Sequence, residues 1–222
     1  RTGSAVSPQE ELLQKTYGLL AWSFVPCAAG AFVGMMYGMR MFRALGSPIA
    51  MFVATMAFFY GMCFLIEKNR HSQMGVNLLM VFTFGMGVMM GPLLNASGQF
   101  VNGGKLVAIA ALMTAGGFFT MSALARRGNF NNNALGGFLN MGVVVLLIGV
   151  VANFFFALPW LSLTLSAMFV IVSALMIMWQ VRNILDGGED SHVSAALTIF
   201  ISIYNLFSSI LRLLLAFAGE ER

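Results

Sequence analysis

The chain has 222 residues, 59% of them hydrophobic and only 9% charged. A soluble globular chain carries roughly 25% charged residues, so this one cannot clothe a water-facing surface, and a soluble enzyme is excluded first. The 12 Lys and Arg and 8 Asp and Glu give a net charge of +4, but the cations fall one or two per loop between apolar runs about as long as a bilayer is thick. That pattern is a polytopic all-α membrane protein whose cations serve topology, with no basic stripe for nucleic acid.

Taken in chain order, the sequence opens on Arg1 rather than Met, so more N-terminal tail is expected upstream, and no cleavable signal peptide is visible. Ser7-Pro8-Gln9-Glu10 has the form of a capping box with proline at the first helical position. It predicts a helix that runs through Glu11 and Lys15 into the first apolar span. Windows of roughly 20 apolar residues place spans near 17–38, 48–66, 74–94, 105–125, 135–157, 161–179 and 193–217. The expected organisation is a tail over 1–16, a seven-helix transmembrane bundle over 17–217 and a short tail over 218–222. Seven spans put the termini on opposite sides. With the N-terminus inside, Arg1, Lys15, Lys68, Arg70, Arg126, Arg127 and Arg182 are inner cations, against Arg40, Arg43, Lys105 and Arg222 outside. The bias favours a cytoplasmic N-terminus and an external C-terminus.

Small residues predict where helices meet. Gly30, Gly34 and Gly38 repeat every four residues on the first span, as do Gly87 and Gly91 on the third, the spacing that lets backbones approach in lipid. Pro26 lies within the first span and is expected to kink it. Spans two to seven also read as three hairpins whose inner turns are EKNRHSQ, RRGNFNNNA and QVRNILDGGEDSH, a weak hint of a parallel repeat.

Chemistry is sparse. No HExxH, GxSxG, P-loop or GxGxxG motif occurs, and the membrane interior holds no Asp, Glu, Lys or His to serve a catalytic dyad. No catalytic, cofactor-binding or metal-ligating residue is assigned, and the chain is read as not an enzyme. Met35, Met36, Met39 and Met41, with Met89 and Met90, offer thioethers for Cu(I), but no His or Cys reinforces them and apolar gap-filling is the preferred reading. Cys27 and Cys63 read as small buried hydrophobes. His71 and His192 fall in inner loops. Arg212 is the one charge well inside a span; it either snorkels outward or faces a polar cavity.

Residues 180–214 carry the most information. Gly187-Gly188 should stop the sixth helix, and Asp186, Glu189, Asp190 and His192 form a polar turn that is the candidate sensor, its acids screened by solvent. Ser202, Tyr204, Asn205, Ser208 and Ser209 then place polar groups along the last span. A helix that polar belongs inside a bundle rather than against lipid.

The ALTIFISIYNLFSSILRLL run resembles the seventh span of the Bax inhibitor-1 family, also called TMBIM. Lys15-Thr16-Tyr17-x-Leu19-Leu20, Gly91-Pro92-Leu93-Leu94-Asn95, the run from Gly142 to Phe155 and Asn183-Ile184-Leu185-x-Gly187-Gly188-Glu189 are similar to its bacterial YccA-like branch. The resemblance implies a bacterial inner-membrane protein with a cytoplasmic N-terminus and six helices around a central seventh. It also implies an FtsH-type AAA protease as partner, engaged through the N-terminal segment that here carries Ser7, Glu10, Glu11 and Lys15. The alternative it implies is a Ca2+ or H+ leak gated by two facing aspartates from the last two spans. Those positions correspond here to Gln180 and Ser202, which cannot titrate near pH 7. With Asn205 and Arg212 they form the candidate interior polar path.

Overall fold

Proline and serine set the helix starts. Ser7, Ser47 and Leu158 are extended residues that each precede a proline at the first helical position, and the Ser7 and Ser47 hydroxyls accept from the backbone N–H of Glu10 and Ala50 at 3.2 and 3.0 Å. The computed structural model describes residues 5–220, with the backbone alone at Glu220, so Arg1 and Arg222 of the charge count and the ends of both expected tails lie outside the described residues. Seven helices follow: α1 (Pro8–Ala44), α2 (Pro48–Lys68), α3 (Gln73–Gly98), α4 (Gly103–Arg127), α5 (Asn132–Phe156), α6 (Pro159–Leu185) and α7 (His192–Glu220). All seven are long and apolar enough to cross a membrane, and each takes in one of the spans expected from the sequence, that of α5 short by the single residue Ala157.

The helices outrun the apolar windows because polar ends continue the same backbone hydrogen bonding. α1, at 37 residues, is roughly 55 Å long at 1.5 Å per residue, well beyond a hydrocarbon core of about 30 Å. It stays one helix across Pro26. α6 ends in a Schellman motif: Gly187 adopts φ 79°, its N–H donates to Ile184 O at 3.1 Å and the Gly188 N–H to Asn183 O at 2.9 Å. The left-handed residue after α5 is Ala157, at φ 47°, whose N–H closes on Asn153 O at 2.8 Å.

The chain divides into two compact units, one formed by residues up to Gln99 with Glu189–Leu197, the other by Phe100–Gly188 with residues from Thr198 onward. In the first, α1 lies along α3 at backbone contact. A Cβ on Gly30 would overlap the Phe84 carbonyl, one on Gly34 the Val88 carbonyl, one on Gly87 the Cys27 carbonyl, and one on Gly91 the backbone of Gly34. The glycines of both helices are therefore a meeting surface, as the spacing predicts. Gly38 is the exception; a Cβ there would meet only Phe42 and Pro92 side-chain atoms, both at 3.9 Å. Asn95 Nδ2 donates to Met35 O at 3.0 Å and ties the same pair farther along. α2 packs on α3 through Phe58 and Phe59, whose rings lie 6.1 and 5.8 Å from that of Phe82. Cys27 and Cys63 are free and half-buried, less enclosed than their apolar setting suggested.

In the second unit α6 packs on both α4 and α5. Gly136 admits the Trp179 indole and Gly149 the Leu165 side chain. Three hydroxyls here are satisfied on their own helix backbone: Thr114 on Ala110 O at 2.6 Å, Ser166 on Ser162 O at 3.0 Å and Ser202 on Thr198 O at 2.9 Å. This is how a hydroxyl survives where water is absent; the buried Ser122 Oγ of α4 has no partner among the described residues.

Burial separates the helices by role. Half of the apolar window of α7 is buried, against 6% in α2 and 11% in α5, whose exposed Val, Ile and Phe side chains suit contact with acyl chains. The polarity of α7 marked it as the helix to bury, and it is the most buried of the seven windows.

Candidate functional site

The expected site residues fall in three places. The first is the start of α1, where Glu10 and Glu11 occupy the first turn below the Ser7 cap. Glu11 pairs with Lys15 one turn on at 3.3 Å, both side chains more than 60% exposed. Acids at a helix N-terminus favour its dipole, but an exposed pair of this kind contributes only about 0.3–0.5 kcal/mol. This stretch offers an accessible charged face and no chemistry.

The second place joins the end of α2 to the start of α7. Arg70 is its hub: its guanidinium reaches Glu67 Oε2 at 3.5 Å, Asp190 Oδ1 at 3.2 Å, and the Glu189 carboxylate. His71 Nε2 lies 3.7 Å from Asp190 Oδ1. Ser191 caps α7, accepting from the Ser194 N–H at 3.2 Å while its hydroxyl donates to Arg70 O at 2.6 Å. Ser194 Oγ donates to Glu67 Oε1 at 2.6 Å. Glu189 also accepts from the N–H groups of Asp190 and Ser191, each at 3.1 Å. The expectation that all three acids of this turn are solvent-screened fails for Glu189, whose side chain is only 10% exposed. It fails because Arg70 and two backbone donors draw the carboxylate inward. Asp190 stays 77% exposed. Asp186 belongs elsewhere, paired with Arg182 at 3.1 Å. His192 opens α7 and is half-buried rather than a free loop residue.

The third place lies in the second unit. Gln180 is 1% exposed and Ser202 3%, so both candidate path residues are enclosed and neutral. Asn205 is half-buried, its carbonyl accepting from Ser208 Oγ at 3.2 Å. Arg212 is exposed and sits on a cleft of about 110 Å³ lined also by Asn153, Ser162 and Ser166. Both readings for Arg212, snorkelling outward and facing a polar cavity, share this position at the edge of the cleft.

Several working residues escaped the sequence reading. Arg182 appeared there only as an inner cation, yet its Nη1 donates to the Ala125 and Gly128 carbonyls at 3.1 and 3.2 Å, and its guanidinium lies 5.6 Å from the Phe130 ring centroid. It thus caps α4, where a cation meets the negative end of the helix dipole. The link from Arg70 to Glu189 spans 119 residues, and no local spacing announces it. The pairs three or four residues apart, Glu11 with Lys15, Glu67 with Arg70 and Arg182 with Asp186, are the ones that spacing alone makes legible.

The family model described as "Inhibitor of apoptosis-promoting Bax1" matches residues 9–219. An uncharacterized protein of Neisseria meningitidis serogroup A is 57% identical over 210 residues, 95% of this chain and 92% of that protein. The "Modulator of FtsH protease YccA" of Escherichia coli K12 is 33% identical over 214 residues, with the same two coverages, as is the "Inner membrane protein YccA" of Escherichia coli O6:H1. The family match runs from the first turn of α1 to the last of α7, and the chain belongs to the Bax inhibitor-1 family of membrane proteins.

Proposed function

We propose that this protein resides in the bacterial inner membrane with its N-terminus in the cytoplasm, and that it binds an FtsH-type protease and modulates its activity by contact rather than by chemistry of its own. The observation that carries this reading is identity of 33% across 95% of the chain to a protein named as a modulator of that protease. The start of α1 supports it: Glu10, Glu11 and Lys15 stand on a continuous helix that leads into the first span, and an unfoldase needs such an accessible segment to engage. The test is co-isolation from native membranes of the protein expressed from its natural start, read by mass spectrometry. Recovery of the protease with the intact chain, weakened on deleting residues 1–14 together with a longer cellular lifetime, is the expected result. No recovery of the protease under mild solubilisation would overturn the reading.

The same reading has a consequence for ion flux. A leak gated by two facing carboxylates depends on a titrating pair in a low-dielectric site, and here those places hold buried Gln180 and Ser202. Purified protein in liposomes is expected to pass little Ca2+, with weak dependence between about pH 6 and 8, the range a shifted carboxylate pair covers. The double substitution Gln180→Asp with Ser202→Asp should introduce pH dependence. A strong and steeply pH-dependent leak in the unaltered protein would put conduction first.

A further inference from the structure

The Arg212 cleft has no part in the protease reading and an unusual polar lining. Arg212 is a cation on a membrane-crossing helix, and among the described residues no carboxylate pairs with it. Beside it, Asn153 Oδ1 is buried with no hydrogen-bond partner. An unmet acceptor in a low-dielectric site costs about 1–3 kcal/mol, and an unpaired intramembrane cation is rarer still. A fixed cation next to an unmet acceptor calls for a ligand that is anionic at one atom and donates a hydrogen bond from another.

The position of the cleft selects the source. Asn153 lies three residues before the end of α5 at Phe156, and Ser162 three residues after the start of α6 at Pro159; each is roughly 4.5 Å from its helix end. Trp160 is 63% exposed and Phe155 and Phe156 are each 71% exposed at the same end, the aromatic pattern of a membrane–water interface. Val150, Leu165 and Phe169 line the rest of the cleft, and their positions, up to two turns farther along α5 and α6, provide an apolar floor suited to an acyl chain. We propose that the cleft binds a phospholipid headgroup from the leaflet at which α5 ends. The phosphate pairs with Arg212, and, as the Asn153 side chain turns its enclosed Oδ1 into the cleft, an ammonium or hydroxyl of the headgroup donates to it. Phosphatidylethanolamine and phosphatidylglycerol have both groups. Phosphatidylcholine has the phosphate but no donor.

The test is native mass spectrometry on the full chain in a phosphate-free detergent, titrated separately with these three lipids and with inorganic phosphate. Phosphatidylethanolamine and phosphatidylglycerol should bind roughly tenfold tighter than phosphatidylcholine, as one hydrogen bond to an otherwise unmet buried acceptor allows. Arg212→Gln should weaken both by a similar factor. Asn153→Leu should erase the preference over phosphatidylcholine while leaving Arg212-dependent binding, an effect a merely structural role would not produce. Equal affinity for all three lipids overturns the proposal and needs no variant to fold. Displacement of the lipid by millimolar inorganic phosphate overturns it as well, marking a site for a soluble anion.

Discussion

Gly34→Ala is expected to lower stability by about 2–3 kcal/mol and Gly34→Leu to prevent a stable fold, whereas Gly38→Ala, four residues along the same helix, should be neutral or slightly stabilising. The difference lies in what the new carbon meets. At Gly34 it would overlap the Val88 carbonyl and Cα, which are main-chain atoms of α3 and can yield only if the two helices part. Overpacking of this kind costs about 1–3 kcal/mol where side chains can adjust, and here none can. Parting α1 from α3 also forfeits the close contacts at Gly30, Gly87 and Gly91, because in lipid these van der Waals contacts, not water exclusion, drive association. At Gly38 the neighbours are a Phe42 ring atom and Pro92 Cδ, both at 3.9 Å. The added methyl finds ordinary contact, and alanine gains roughly 0.5–1 kcal/mol over glycine in a helix interior. Thermal unfolding in detergent, followed by helical circular dichroism, measures all three. Equal losses at Gly34 and Gly38 would mean that α1 does not meet α3 through this surface.

The contrast at Gly38 also marks how far the sequence could be read. The period of four on α1 and α3 predicts a glycine surface, and one exists, but period alone cannot tell which members touch a neighbour. Helix number and type were legible because bilayer thickness imposes a length on every span. The C-terminal end of α6 was legible because Gly187 takes positive φ without the steric cost a side chain would bear, and with Gly188 closes the Schellman bonds. What sequence could not provide was pairing at a distance. Glu189 reads as a loop acid until Arg70 is brought against it, and Arg182 as a topological charge until the last carbonyls of α4 are placed beside it. Arg212 was visible as an intramembrane charge, but Asn153 gains meaning only as a lining residue of the same cleft. Each of these contacts depends on which helices become neighbours, and no periodicity encodes that.

Arg70→Ala should be the most damaging single loss of charge in the chain, at about 2 kcal/mol. Removing one partner from a buried pair costs about 3–5 kcal/mol, because the remaining charge stays desolvated. Arg70 is 32% exposed and Glu67 41% exposed, so solvent screens part of the loss, while Glu189 at 10% exposure has little access to water. Two N–H groups still hold the Glu189 carboxylate after the change, which limits the damage further. The natural control is Lys15→Ala, which removes an exposed pair with Glu11 and should cost less than about 0.5 kcal/mol. Glu189→Gln keeps an oxygen for the Asp190 and Ser191 N–H groups but gives up the charge, so combining it with Arg70→Ala should cost less than the sum of the two. A coupling of at least about 1 kcal/mol is expected for charges in contact. Limited proteolysis of the 186–192 turn supplies a second readout: without the guanidinium Glu189 and Asp190 lose their tie to the turn after α2, leaving only the Ser191 bond to the main-chain Arg70 O and the Ser194 bond to Glu67, and cleavage there should quicken before global unfolding does. If Arg70→Ala is no more harmful than Lys15→Ala, or if the double variant loses the full sum, the cluster at the start of α7 is a solvated surface network and not the tether between α2 and α7 that its geometry describes.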